Sequence, residues 1–171
     1  MVHIRVMTGA DIQAVSTIRV RGWQSAYVGI VPQCFLDKMS VTRDAAERRR
    51  FFAKSAGRVH NLVAESADGQ LAGWASLGPY RSHEFPAGVG ELYALYVHPD
   101  RIGTGVGRAL ITAALDRATE LGWDRLLLWV LAENTRARDF YARAGFTPDG
   151  AETVDDCDGV PLREVRYARD L

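Results

Sequence analysis

The chain has 171 residues, with 21 Lys and Arg against 21 Asp and Glu, and therefore no formal net charge at pH 7. This length predicts one domain, residues 1–171, that buries roughly two thirds of its unfolded surface. Zero net charge argues against general nucleic-acid binding. The sequence contains no uninterrupted apolar run of about 18 residues, so it predicts no membrane-spanning helix. Cys34 and Cys157 are far apart in the sequence, which predicts two reduced thiols and no metal site. The first residues do not resemble a signal peptide, which predicts a cytoplasmic protein.

The first half of the chain alternates strand and helix patterns. Thr8 is a suitable cap for the first helix, with Asp11 in its first turn, and Pro32 suits the first turn of a second helix. Asp68-Gly69 is a hairpin signal between two strands. The predicted elements are a strand at 2–7, a helix ending near Gly22, a helix from Pro32, a helix through 48–52, and strands at 58–66 and 71–77.

The second half predicts a strand at 91–97, a helix from Val106 to Gly122, and a buried strand at 125–131. Asn134 then caps a short helix that stops at Gly145, and strands at 146–154 and 162–169 flank a turn at 158–159. This order of elements implies one mixed sheet with helices on both faces.

A glycine-rich segment between the strand at 91–97 and its following helix is the first functional signal. Residues 99–111 read PDRIGTGVGRALI, with Gly103, Gly105 and Gly107 at alternate positions. Glycines let backbone N–H groups approach a ligand, and a helix start adds free donors, so the segment predicts a pyrophosphate cradle. A nucleotide triphosphatase loop would need Lys-Ser/Thr where Arg108 and the residue after it stand. A dinucleotide site needs a different glycine spacing, but Glu133 after the next strand leaves a nicotinamide-dependent oxidoreductase open.

A second segment separates these alternatives. Residues 134–146, NTRARDFYARAGF, together with HPDRIGTGVGRAL at 98–110, resemble the GCN5-related N-acetyltransferase (GNAT) family, and residues 22–39 are similar to its first-helix region. The resemblance implies a single-domain α/β GNAT fold, with a mixed, mostly antiparallel sheet flanked by helices. It also implies acetyl-CoA as donor and direct attack by a primary amine of an unidentified small molecule or peptide. It implies no metal, nucleic-acid or membrane partner, and it admits a homodimer. A noncatalytic acyl-CoA-binding module on the same fold is the alternative.

The resemblance also assigns the cofactor contacts. The main chain of residues 95–97 would bind the pantetheine arm as an added strand would, and Asn134 would contact the pantetheine besides capping its helix. The family usually has Arg or Gln where this chain has Ile102, so we expect the backbone to hold the diphosphate, with partial compensation by Arg101 or Arg108. The expected cofactor-binding residues are Leu95, Tyr96, Val97, Gly103, Thr104, Gly105, Val106, Gly107, Arg108, Asn134, Arg138 and Tyr141.

Two residues are predicted to be catalytic. Tyr141, in one helical stripe with Asn134 and Arg138, is the expected general acid, because a phenol stays protonated at neutral pH and can donate to the departing thiolate. A core aromatic is the alternative role for Tyr141. Glu91 is the expected base, with a solvated strand end as the alternative.

Further candidates are weaker. His83 and His98 are other possible bases, although loop histidines are more often structural. Trp23, Tyr27 and Tyr93 are the expected acceptor wall, and a purely core position is the alternative for the aromatic pair. The aspartates 155, 156 and 158 suit either a cationic amine or an exposed turn, and Arg48 with its two following arginines is expected on a solvated helix face.

Overall fold

The computed structural model describes residues 2–82, 85 and 87–171. Its elements follow the predicted order closely, with two short 3₁₀ turns added before the first helix and after the fourth strand. In chain order they are β1 (Val2–Val6), a 3₁₀ turn (Gly9–Asp11), α1 (Ile12–Ala26), α2 (Gln33–Lys38), α3 (Val41–Lys54), β2 (His60–Ser66), β3 (Leu71–Pro79), β4 (Val89–Val97), a 3₁₀ turn (Pro99–Arg101), α4 (Val106–Glu120), β5 (Arg125–Leu131), α5 (Thr135–Arg143), β6 (Thr147–Cys157) and β7 (Val160–Asp170).

The strands form one seven-stranded sheet in the order β1-β2-β3-β4-β5-β7-β6. Neighbouring strands are antiparallel, except for the parallel pair β4 and β5. Parallel neighbours need a crossover, and α4 supplies it. This is the mixed, mostly antiparallel sheet that the sequence predicts.

Helices cover both faces of the sheet, because its strands alternate apolar side chains between two cores. On one face, α4 and α5 pack over a core that includes Leu110, Leu126 and Phe146. On the other face, α1 and α3 pack over a smaller core that includes Val15 and Trp74. Strands β3 and β4 are therefore covered on both faces, by α4 on one and α1 on the other.

Two glycines set how closely the helices approach the sheet. A Cβ on Gly73 of β3 would lie 2.7 Å from Leu110 Cδ1, so α4 rests directly on the strand. A Cβ on Gly22 of α1 would lie 3.3 Å from Tyr96 Cδ1. Gly22 therefore serves helix–sheet contact, and the predicted helix end there is wrong because α1 continues to Ala26.

Thr8 precedes the 3₁₀ turn rather than α1, and Asp11 stands at the N-cap of α1, so the predicted cap lies one short turn before the helix. The Asp11 carboxylate accepts a hydrogen bond from the Thr8 N–H at 2.7 Å, and it also binds Arg5 through two contacts of 2.8 and 2.9 Å. Cys34 is exposed, Cys157 is buried, and both are free thiols. Within the described ranges, no helix is both long and apolar enough to cross a membrane.

Candidate active site

A wedge-shaped cleft opens where β4 and β5 part. Residues 89–91 pair with residues 125–127, and the two strands then diverge. In the described part of the chain, residues 92–97 have no hydrogen-bonded partner on β5, and they line a cleft of about 1040 Å³. The backbone groups on that side of β4 are therefore available to an extended ligand.

A β-bulge shapes the floor of this cleft. The register between β3 and β4 shifts at Tyr93, which is an extra residue on β4. Side chains on either side of the bulge consequently change faces, so that Leu92 packs in the core beneath α4 whereas Ala94 packs against the core beneath α1 and α3. The Tyr93 ring lies against Gly78, and its hydroxyl donates a hydrogen bond to the Pro79 carbonyl. Tyr93 thus stands on the cleft side as predicted, but it is fixed there by backbone contacts.

The glycine-rich turn borders one end of the cleft. Gly103 and Gly105 have φ values of 81° and 90°, which favour glycine, and a Cβ on either would meet no atom within 4 Å. Helix α4 starts at Val106, and the Ala109 N–H bonds to the Gly105 carbonyl at 3.0 Å. By helix geometry, the N–H groups of residues 106–108 have no acceptor inside the helix. This end of the cleft therefore suits an anionic group.

The glycine-rich turn offers fewer side-chain groups than backbone groups for binding a ligand. The Thr104 hydroxyl donates to the Arg101 carbonyl at 2.6 Å, and the Val106 side chain is buried in the core, so only their main chains can serve a ligand. Ile102 is 37 % exposed and lines the cleft. Of the two arginines expected to compensate for it, Arg108 lines the cleft, whereas Arg101 lies 3.7 Å from Asp68.

Helix α5 presents Asn134 and Tyr141 to the cleft but turns Arg138 away. Asn134 caps the helix by accepting the Ala137 N–H at 3.2 Å, and it lines the cleft. Arg138 instead donates to the Ala132 carbonyl at 2.9 Å and to the Tyr167 hydroxyl at 3.1 Å. Its predicted role in cofactor binding is corrected to a structural one. On the same helix, Arg136 and Arg143 line the cleft, and the sequence analysis missed both.

Tyr141 lies at the centre of the cleft wall. Its ring makes edge contacts with Phe140 and Phe146, at centroid distances of 5.3 and 6.0 Å. Burial, and to a lesser degree the neighbouring Tyr96, raises the pKa of Tyr141. Among the described residues, its hydroxyl has no hydrogen-bond partner. The phenol is therefore protonated at neutral pH and free to donate to a bound group.

Opposite Tyr141 stands an aromatic wall from α1 and β4. The Trp23 indole N–H donates to the Tyr96 hydroxyl at 2.8 Å, and the Trp23 and Tyr27 rings meet edge to face at 4.8 Å. Burial raises the pKa of Tyr27, and the nearby Tyr96, Tyr141 and Glu164 add to the rise. The predicted wall residues Trp23 and Tyr27 both line the cleft while also packing on a buried cluster. The Tyr96 side chain, for which only a main-chain role was expected, joins them.

Glu91 is buried and paired. Its side chain is 2 % exposed, and Arg81 donates to it from Nη2 at 2.5 Å, from Nε and from its backbone N–H. The Arg81 guanidinium also stacks on the Tyr93 ring at 4.5 Å. Glu91 lines the cleft as predicted, but Arg81 occupies both of its oxygens. His98 accepts the Asp100 N–H at 3.3 Å as a turn cap, and His83 lies outside the described residues.

Two further cleft residues, Arg48 and Glu164, were not expected from the sequence. Arg48 lies 4.2 Å from the Trp74 ring and 3.1 Å from Asp44, so it is the inward-facing member of the predicted solvated run. The helical spacing that places Arg48 on the same face as the buried Ala45 could have identified it. Glu164, on β7, also lines the cleft, and no sequence signal distinguishes it from an exposed strand residue.

The aspartates of the last hairpin divide between the two expected roles. Asp155 lines the cleft. Asp156 accepts the Gly159 N–H at 3.0 Å, and Asp158 lies 3.9 Å from the Lys38 amine. Only the first of the three therefore faces the position of a ligand. Across the described ranges, no group of three or more His, Cys, Asp or Glu residues could hold a metal ion.

Comparison with known proteins identifies the family. The profile of the Acetyltransferase (GNAT) family matches residues 23–146. The chain belongs to the GNAT family. It is 28 % identical over 166 residues to an uncharacterised N-acetyltransferase, YuaI, of Bacillus subtilis (strain 168), an alignment that covers 96 % of this chain and 91 % of that protein. It is 44 % identical over 85 residues to the mycothiol acetyltransferase of Clavibacter sepedonicus, covering 50 % of this chain and 26 % of that protein.

The fold comparison agrees with this GNAT assignment. The chain superposes on the PaiA N-acetyltransferase of Thermoplasma acidophilum, solved in complex with coenzyme A, with a TM-score of 0.74. Sequence identity is 20 %, and the match covers 100 % of this chain and 99 % of that one. These comparisons confirm the predicted family, the predicted fold and the predicted acetyltransferase class. Acetyl-CoA is the donor that the resemblance to the family implied. The individual site residues remain predictions.

Proposed function

We propose that this GNAT protein transfers the acetyl group of acetyl-CoA to a primary amine of a small molecule or peptide by direct attack. One observation carries the proposal. The parting of β4 and β5 brings an unpaired strand edge, the glycine-rich turn and the Tyr141 hydroxyl into one cleft. The fold is shared with an N-acetyltransferase that was solved with coenzyme A.

In this proposal, acetyl-CoA lies along the cleft. The main chain of Leu95, Tyr96 and Val97 pairs with the pantetheine amides, as an added strand would. The N–H groups of residues 106–108 hold the diphosphate, and Arg108, Arg136 and Arg143 add positive charge around it. Asn134 lines the same cleft, and its amide bonds the pantetheine in this proposal.

The thioester then lies beside Tyr141 and the aromatic wall. A neutral amine attacks the carbonyl carbon, and a backbone N–H near Leu95 stabilises the oxyanion that forms. Collapse of the intermediate expels the CoA thiolate, which takes the Tyr141 proton. No covalent enzyme intermediate is needed, because the amine itself is the nucleophile.

The test is a panel of primary amines incubated with acetyl-CoA and the protein. Free thiol reports CoA release, and mass spectrometry reports acetylated amine. The proposal expects both signals in equal amounts for at least one amine. Thiol release without acetylated amine would indicate a hydrolase instead, and no turnover with any amine would overturn the proposal. Single-domain organisation, the cytoplasmic location and the homodimer stay predictions.

A further inference from the structure

Negative charge is in excess at the acceptor end of the cleft, which we define as Arg81, Glu91, Tyr93, Asp155 and Glu164. All five residues line the cleft. The one guanidinium among them, from Arg81, is bound to Glu91. Asp155 and Glu164 are therefore left without compensating positive charge within this group. Such an end suits a cationic ligand.

Glu164 lines the same cleft as Tyr141. It pairs across the sheet with Leu131, the last residue of β5, and Leu131 packs in the same buried cluster as Trp23 and Tyr27. The phenol of Tyr27 is within electrostatic range of both Tyr141 and Glu164. The Glu164 carboxylate and the proposed acid Tyr141 thus both lie near the Tyr27 phenol in the same cleft.

The Glu164 carboxylate is also unpartnered. Among the residues that the structure describes, none donates a hydrogen bond to it or forms an ion pair with it. Arg166, two residues further on the same face, is bound to Asp149 at 2.6 Å and to the Tyr80 hydroxyl at 2.9 Å. The Glu91 carboxylate, in contrast to that of Glu164, accepts hydrogen bonds from Arg81 at both of its oxygens. Asp155 is exposed, whereas Glu164 is half-buried, so Glu164 is the acceptor-end carboxylate best placed to accept a proton.

The surroundings of Glu164 make it a stronger base. Burial raises its pKa, and the negative charges of Asp155 and Glu91 raise it further, whereas Arg81 acts in the opposite direction. A carboxylate of raised pKa holds a proton more readily, which favours general-base catalysis.

We infer that Glu164 binds the ammonium group of the acceptor and removes its proton, and hence that the acceptor is an alkylamine, which is protonated at neutral pH. The inference rests on the proposed function. One N–H proton moves to a Glu164 oxygen, and the freed lone pair forms the C–N bond. The C–S bond then breaks, the sulfur takes the Tyr141 proton, and the resulting phenolate takes the second nitrogen proton. Glu164 releases its proton to water.

The test uses two amines of similar size, ethylamine and 2,2,2-trifluoroethylamine. Fluorine withdraws electrons, so that the second amine is largely unprotonated at neutral pH. Replacing Glu164→Gln keeps the shape of the side chain but removes the base. We expect kcat/KM for ethylamine at pH 7 to fall about 10²- to 10⁴-fold, and for trifluoroethylamine less than about 10-fold. The rate of the variant with ethylamine should then rise with pH in parallel with the free amine.

Controls separate this role from a structural one. The affinity for acetyl-CoA should be unchanged in Glu164→Gln, and Glu152→Gln, on an exposed part of the neighbouring strand, should retain full activity. Equal losses with both amines, or full activity of Glu164→Gln, would overturn the inference, as would a wild-type protein that acetylates aniline but no alkylamine. A wild-type protein that acetylates no amine would instead overturn the proposed function, and the inference with it.

Discussion

The state of the Tyr141 phenol determines whether this site can complete acetyl transfer. Burial among Phe140, Phe146 and Tyr96 raises its pKa, which ensures protonation but weakens it as an acid. A thiolate that leaves beside this ring would be shielded from water as well, so its affinity for a proton would rise in the same direction. Proton transfer from Tyr141 to sulfur is therefore feasible in the cleft, although it would be less favourable in water.

Replacing Tyr141→Phe removes the proton and keeps the ring packing. We expect kcat to fall by about 10²-fold or more, with the Kd for acetyl-CoA unchanged within about twofold, because the hydroxyl acts in the transition state. Steady-state kinetics and isothermal titration calorimetry measure the two quantities. The matched control is Tyr167→Phe, whose hydroxyl contacts Arg138 outside the cleft and whose loss should leave kcat unchanged. A similar loss of affinity and turnover in Tyr141→Phe would refute its role as acid.

Arg138 and Arg143 lie on one helix but have different roles. Arg138→Ala leaves the Ala132 carbonyl and the Tyr167 hydroxyl without their donor, so we expect the free energy of unfolding to fall by about 1–3 kcal/mol. The affinity of the folded protein for acetyl-CoA should not change. Arg143→Ala, at the edge of the cleft, should weaken acetyl-CoA binding, most strongly at low salt. Denaturant titration and calorimetry at two salt concentrations distinguish these outcomes, and the reverse pattern would contradict the assignment.

At the scale of elements, the turn before α4 is the part on which cofactor binding depends. Gly105→Ala places a side chain at a φ of 90°, which destabilises the folded protein by about 1–3 kcal/mol and disturbs the N–H groups of the helix start. Gly150→Ala, at a φ of 91° and likewise with open space around its Cβ, is the matched control. Thermal unfolding should show similar losses for both variants. Calorimetry should show weaker acetyl-CoA binding for Gly105→Ala alone, and equal affinities would contradict the cradle.

The order of elements is predictable from the sequence because each has a local signal, such as the Asn134 cap or the hairpin turn at Asp68. The glycine-rich turn before α4 is predictable for the same reason. Period-two or helical spacing cannot show where a strand bulges, which is how Tyr93 shifts the side chains that follow it. It also cannot show the partner of a long side chain. Arg138 reaches a carbonyl and a phenol that are distant from the stripe on which the sequence places it.

At the scale of the whole molecule, the sheet ends in the edge strand β1, which an ion-pair network ties to the first helix. Arg5 binds Asp11 through two hydrogen bonds and also contacts Glu65 on β2. The hydrogen bonds from Arg5, and then those from Thr8, hold the pKa of Asp11 well below its ordinary value, against the opposing effect of burial. The ionised carboxylate is therefore a feature of the folded state.

This network predicts acid sensitivity. The folded-state pKa of Asp11 is depressed, so the ionised Asp11 carboxylate contributes fully to stability above the unfolded-state pKa of about 3.9. This contribution is lost progressively as the pH falls below that unfolded-state pKa. We expect the wild-type Tm to drop more steeply than that of Asp11→Asn between about pH 4 and pH 2. Asp68→Asn, which replaces an exposed carboxylate, should behave as the wild type does. Parallel Tm curves for wild type and Asp11→Asn would contradict the prediction.

The central claim is that acetyl-CoA occupies the wedge between β4 and β5 and is held by backbone groups. Amide hydrogen exchange followed by mass spectrometry, with and without saturating acetyl-CoA, tests it most directly. The account predicts slower exchange at residues 92–97 and 103–109 in the presence of acetyl-CoA, and no such change with NADH. Protection confined to other segments, or unchanged exchange at these two, would contradict it.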